Sequence, residues 1–236
     1  MRNTFAVARR EFVSYFDSPI AYLVVCAYLI IAGAMFFPGL FVTGQADMRS
    51  FFNSAPILLL FFTPILTMRL LAEERAQGTL ELLLTMPITD WQVVIGKFLA
   101  SVGLVAVLLF LSLSIPISVA SLGPLDKGAV AAGYVGMLLM FGAYAAIGLM
   151  ASAFTKNQMV AGIVALSIGF ALFIVGALVQ VLPAWIAPFC NAISIQSHFQ
   201  NIARGVIDSR DVLYYASMIF GCLLVAQTTL ASRRWR

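Results

Sequence analysis

Residues 73–97 read EERAQGTLELLLTMPITDWQVVIGK, and the punctuation of this stretch decides the fold. It opens on a charge cluster, Glu73, Glu74 and Arg75, with Arg69 four residues before Glu73 and so placed to pair with it along one helix face. Gly78 then permits a sharp change of chain direction that a Cβ would resist. Thr79 is suited to cap a short helix with Leu80, Leu83 and Leu84 on one face, and Pro87 stops it. Thr89 and Gln92 stand in capping-box register immediately before the next apolar run. The stretch therefore specifies helix, turn, short helix, turn, helix, and both outer helices continue into long apolar runs.

Those runs set the class of protein. Of 236 residues, 62% are hydrophobic and only 10% charged, and the mean hydropathy is +1.00. Soluble domains hold about 45–50% apolar and about 25% charged residues. Apolar runs at residues 20–42, 54–72, 98–121, 129–154, 159–182 and 212–231 read as six transmembrane helices in one all-α integral membrane domain over residues 1–236. Six spans use roughly 120–140 positions, so no stretch remains for a nucleotidase, a Rossmann unit or an ectodomain. The three cysteines lie far apart with no CxxC, and no metal ligand set is legible.

The net charge of +4 and pI near 9.1 mark a membrane orientation, with no nucleic-acid partner implied. An even number of spans puts both termini on one side. That side holds Arg2, Arg9, Arg10, Arg69, Arg75, Lys97, Lys156, Arg233, Arg234 and Arg236, against Arg49, Lys127, Arg204 and Arg210 on the other. Both termini are therefore expected in the cytoplasm. Residues 1–19 read as an amphipathic helix on the inner interface, with Phe5, Ala8, Phe12, Tyr15 and Phe16 on one face, Asn3, Arg10, Ser14 and Asp17 on the other, and Pro19 at its end. The alternative is an ordinary basic tail.

Before the sixth span, residues 182–211 (LPAWIAPFCNAISIQSHFQNIARGVIDSRD) are too apolar for a free loop and too broken by Pro183 and Pro188 for a seventh span. Short re-entrant or interfacial helices over residues 183–211 fit, because irregular backbone at membrane depth must be buried against protein or line a cavity. They form a lid or vestibule wall, or else a packing element. His198, the single histidine, reads as interfacial packing beside Phe199. Asp208, Arg210 and Asp211 read as a helix-start charge cluster with Asp208 or Ser209 as the cap, and Arg204 precedes them.

The pattern Glu74-x-x-x-Gly78-Thr79-Leu80-Glu81-x-Leu83-Leu84-x-x-Pro87, followed by Gly96-Lys97, resembles the hallmark of type-2 ATP-binding-cassette (ABC) exporter permeases. Within that family the chain is most similar to the permease subunit of the gliding-motility-type ABC transporter. The stretches that carry this are Arg9-Arg10-Glu11-Phe12 through Ser18-Pro19-Ile20-Ala21-Tyr22-Leu23, Thr67-Met68-Arg69, Asn157-Gln158-Met159-Val160-Ala161, Ser197-His198-Phe199, and Arg204-Gly205-Val206-Ile207-Asp208-Ser209-Arg210-Asp211.

The resemblance implies an N-terminal connecting helix, a cytoplasmic coupling helix after the second span, and re-entrant helices before the sixth. It further implies two ABC ATPase subunits in the cytoplasm, a second permease protomer identical or related to this one, and room for a periplasmic or membrane auxiliary subunit. ATP and Mg²⁺ belong to the partner ATPase, since no Gly-x-x-x-x-Gly-Lys-Ser/Thr occurs here: Trp91 stands five before Gly96, and Phe98 follows Lys97. The chain is thus expected to be a permease of the bacterial inner membrane with no enzymatic site of its own. The expected coupling residues are Glu73, Glu74, Arg75, Gly78, Thr79, Leu80, Glu81, Leu83, Leu84 and Pro87, braced by Arg9, Arg10, Glu11 and Phe12 of the connecting helix. The competing function is an ATP-driven mechanotransmitter of an envelope or motility machine, with nothing translocated. A secondary carrier fits poorly, because charges within the spans are nearly absent.

Overall fold

The computed structural model describes residues 2–43, 47–79, 88–179, 183 and 185–234. Among the described residues the chain forms helices and no strand. An N-terminal helix, α1 (Arg2–Asp17), precedes the first span, α2 (Pro19–Thr43). The second span joins α3 (Arg49–Thr67) to the short α4 (Ala72–Ala76), and the third joins α5 (Asp90–Ser112) to α6 (Ser114–Ala120). The fourth and fifth spans are α7 (Lys127–Phe154) and α8 (Gln158–Leu178). Two short helices, α9 (Ala187–Ile193) and α10 (Ile195–Ala203), lead to α11 (Ser209–Arg234), which contains the sixth span. Six helices are thus long and apolar enough to cross a membrane.

The helices that hold the second and third spans start at Arg49 and Asp90, ahead of the apolar runs that begin at residues 54 and 98. In the third span the helix start is set by a capping box: the Thr89 hydroxyl accepts from the Gln92 backbone at 3.4 Å, and the Gln92 side chain accepts from the Thr89 backbone at 3.2 Å. A local hydrogen-bond device therefore overrides the apolar run, and Lys97 falls two turns inside the helix rather than at its mouth.

The bundle is built around α7, which packs against α3, α5, α8, α10 and α11. Its small residues admit the neighbours closely. A Cβ on Gly148 would stand 1.9 Å from the Thr67 hydroxyl, and one on Gly133 would stand 2.4 Å from the Phe52 ring. Without a hydrophobic drive between helices in lipid, such close approach is the main source of packing energy. The outward faces of α2, α8 and α11 are apolar, exposing residues such as Leu23, Ile30, Ile163, Phe170, Leu213 and Phe220.

Two breaks in the spans are closed by side chains from other helices. Pro116 has no N–H to give the Ser112 carbonyl, and the Tyr134 hydroxyl of α7 donates to that carbonyl at 3.0 Å. Between α3 and α4 the Ser152 hydroxyl, also on α7, accepts from the Leu71 and Ala72 backbone at 3.0 and 2.9 Å and donates to the Met68 carbonyl at 3.0 Å. The Leu66 carbonyl at the same break receives the Tyr15 hydroxyl of α1 at 2.9 Å. Orphaned backbone groups at a helix end must find partners, and here α1 and α7 supply them.

α1 lies along α5. A Cβ on Gly96 would meet Val7 at 2.8 Å and the Thr4 carbonyl at 3.1 Å, and one turn-pair later a Cβ on Gly103 would meet Phe12 at 3.2 Å. The buried residues of α1 are Val7, Ala8 and Tyr15, with Phe12 and Phe16 partly covered. Phe5, on the apolar face read from the sequence, is exposed, and Val7 fills the gap that Gly96 opens.

Candidate functional site

The site with most chemistry lies where α1, α4 and α5 meet. Lys97 on α5 is 1% exposed, and its ammonium stands 2.9 Å from Glu74 Oε1 and 3.2 Å from Glu11 Oε1. Arg10 closes the network from the exposed side, 3.0 Å from Glu11 and 3.6 Å from Glu74. A buried ammonium is tolerated only when paired, and two carboxylates sharing one oxygen each do this. The second oxygen of Glu74, Oε2, is buried and has no hydrogen-bond partner among the described residues.

Beside the network lies a cavity of about 620 Å³, walled by α1 (Arg10, Glu11, Ser14, Tyr15), the α3–α4 turn (Arg69, Leu70) and α4 (Glu73, Glu74). Burial pushes the Tyr15 phenol up from its ordinary pKa, the Glu11 charge adds to this, and Arg69 opposes it. Tyr15 therefore remains a donor to Leu66 and holds α1 against the end of α3.

The other residues expected here fall as follows. Glu73 Oε1 accepts from the Gln77 amide at 3.4 Å; Arg69 makes no ion pair with it, since Arg69 sits beyond the α3 terminus, where the helix face they would share is broken. Arg75 donates to the Ala153 carbonyl at 3.4 Å, tying α4 to α7. Gly78 has φ +72°, the left-handed region that glycine enters freely, and the Thr79 hydroxyl donates back to the Glu74 carbonyl at 3.2 Å. Leu80, Glu81, Leu83, Leu84 and Pro87 lie outside the described residues. Arg9 is exposed and Phe12 packs at Gly103.

The outer-segment residues gather elsewhere, at the start of α11. Asp208 Oδ1 accepts from the Arg210 backbone at 3.0 Å and is the cap. Asp211 is buried, and His198 Nδ1 meets its Oδ1 at 2.5 Å while the imidazole stacks on Tyr214 with centroids 4.0 Å apart. Tyr214 and Tyr215 donate to the Ile193 and Ile195 carbonyls, fastening α9 and α10 to α11. His198 thus packs on Tyr214 and also pairs with Asp211. Arg204 and Arg210 are exposed.

Sequence reasoning missed Lys97 as a site residue and missed its pairing with Glu11. The available signal was the capping box, which sets the helix start and so puts Lys97 inside it, together with Gly96 and Gly103 spaced seven apart on one face.

Six helices long and apolar enough to cross a membrane, with a buried ion network where α1 meets α4 and α5, define a multi-pass membrane protein. Residues 49–231 match the family described as ABC-2 family transporter protein, and the chain belongs to that family. Its members are membrane components of transporters that work with an ABC ATPase. No curated protein sequence matches the chain.

Proposed function

We propose that the chain is the permease subunit of an ABC exporter in a bacterial cytoplasmic membrane, with both termini cytoplasmic, of the gliding-motility type. It pairs with an identical or related protomer and with two ATPase subunits, which carry ATP and Mg²⁺. The short helix after Gly78 seats in the ATPase, with Leu80, Leu83 and Leu84 supplying contact area and Glu81 supplying orientation. The observation that carries this reading is the Lys97 network: a push on α4 reaches α1 through Glu11 and Arg10 and reaches the third span through Lys97. Ser152 and Arg75 tie the same segment to α7, so closure of the ATPase dimer shifts a connected set of helices rather than a loop.

The test is purification in mild detergent, mass spectrometry of what accompanies the chain, and an ATPase assay of that complex. An ABC ATPase should co-purify, and Glu81→Arg and Gly78→Pro should lower its turnover while the permease still inserts. Recruitment and turnover that survive both changes refute the coupling role.

A further inference from the structure

We propose that the cavity between α1 and the α3–α4 turn binds a phosphate ester bearing a primary ammonium, the headgroup chemistry of an ethanolamine phospholipid. Its volume of about 620 Å³ is in the range of small-molecule sites. Its wall holds three cations, Arg10, Arg69 and Lys97, and three carboxylates, Glu11, Glu73 and Glu74, so it favours neither a bare anion nor a bare cation.

Unspent charge of both signs lines it. Arg10 and Lys97 are taken up by Glu11 and Glu74 Oε1, whereas Arg69 has no ion pair among the described residues. Arg69 stands in the cavity wall on the α3–α4 turn, and Ser14 and Tyr15 of α1 line the same cavity. On the α4 side, Glu74 Oε2 is buried without a partner, and Glu73 receives only the Gln77 amide. A phosphate meets Arg69 and an ammonium meets the two glutamates. Lone pairs of carboxylate oxygens reward a group that donates hydrogen bonds, so a primary ammonium is preferred over a quaternary one, which requires an aromatic cage that this cavity lacks among its lining residues. The amphipathic α1 places the cavity at the level of lipid headgroups. The inference is independent of the ATP-coupling reading.

The test is native mass spectrometry of the full chain released from detergent with phosphatidylethanolamine, phosphatidylcholine or phosphatidylglycerol, and separately with soluble O-phosphoethanolamine. Phosphatidylethanolamine is expected to be retained about tenfold better than the other two lipids. Arg69→Gln should lower retention of all three lipids, and Glu73→Gln should abolish the preference for phosphatidylethanolamine, both variants eluting as the parent does in size-exclusion chromatography. Preference for the lipid over O-phosphoethanolamine assigns the membrane as the source, and equal retention of the soluble compound assigns a soluble ester. Equal retention of all three lipids by the parent, or a preference unchanged in Glu73→Gln, overturns the proposal.

Discussion

Replacing Lys97 by methionine keeps most of the side-chain volume and removes the charge. Glu11 Oε1 and Glu74 Oε1 lie 3.2 and 2.9 Å from the lost nitrogen, so the two oxygens stand within about 6 Å of each other. At an effective dielectric near 20 their repulsion is about 3 kcal/mol, and breaking a buried ion pair by removing one partner costs about 3–5 kcal/mol. Arg10 is 57% exposed and takes up only a fraction of this, an exposed pair being worth about 0–1 kcal/mol. Lys97→Met should therefore destabilise the chain by about 3 kcal/mol and Arg10→Met by less than about 1 kcal/mol. For a chain of this size the first is a fall of about 10 °C in Tm. Adding Glu11→Gln and Glu74→Gln to Lys97→Met removes the repulsion and should recover most of the loss. Thermal unfolding in mild detergent, followed by tryptophan fluorescence, reads all three. Equal Tm values for Lys97→Met and Arg10→Met, or a triple variant less stable than Lys97→Met alone, would refute the assignment of Lys97 as the centre of the network.

Gly148→Ala forces a methyl to within 1.9 Å of the Thr67 hydroxyl and should cost about 1–3 kcal/mol, partly restored by Thr67→Ala, again read as Tm. Tyr134→Phe leaves the Ser112 carbonyl beside Pro116 without its donor, so hydrogen exchange around residues 109–113 should rise, with a stability loss of about 1 kcal/mol. His198→Ala removes the side-chain partner that buried Asp211 has among the described residues and should raise exchange or protease sensitivity over α9 and α10 by about tenfold or more, while Asp211→Asn, which buries no charge, should do so less.

The six spans, the turn at Gly78 and the helix start at Thr89 were legible because each rests on local chemistry: apolar runs of sufficient length, a glycine at the turn, and the Thr89 and Gln92 capping box. The ion network was not legible. Glu11 and Lys97 meet only because α1 lies along α5, and that contact depends on Gly96 and Gly103, whose purpose appears only when a second helix rests on them. Treating Lys97 as a boundary charge also moved the start of the third span to residue 98. Likewise Ser152 carries a hydroxyl of a kind that membrane helices ordinarily turn onto their own backbone, and Tyr134 reads as a packing ring, yet both serve a different span. The Asp211 partner of His198 is thirteen residues away, beyond the reach of any helical periodicity, because a glycine with φ +93°, Gly205, separates their helices.

The order of the partners along the chain bears on how the protein is made. A lysine within an inserting helix carries a transfer cost, about 2.5–3.5 kcal/mol at the helix centre and less near the end where Lys97 sits. Both carboxylates that neutralise Lys97 precede it in translation, Glu11 on α1 and Glu74 just after the second span. When the third span leaves the ribosome, its counter-charges are already at the membrane, so this helix can enter the bilayer by docking on finished structure rather than by its hydrophobicity alone.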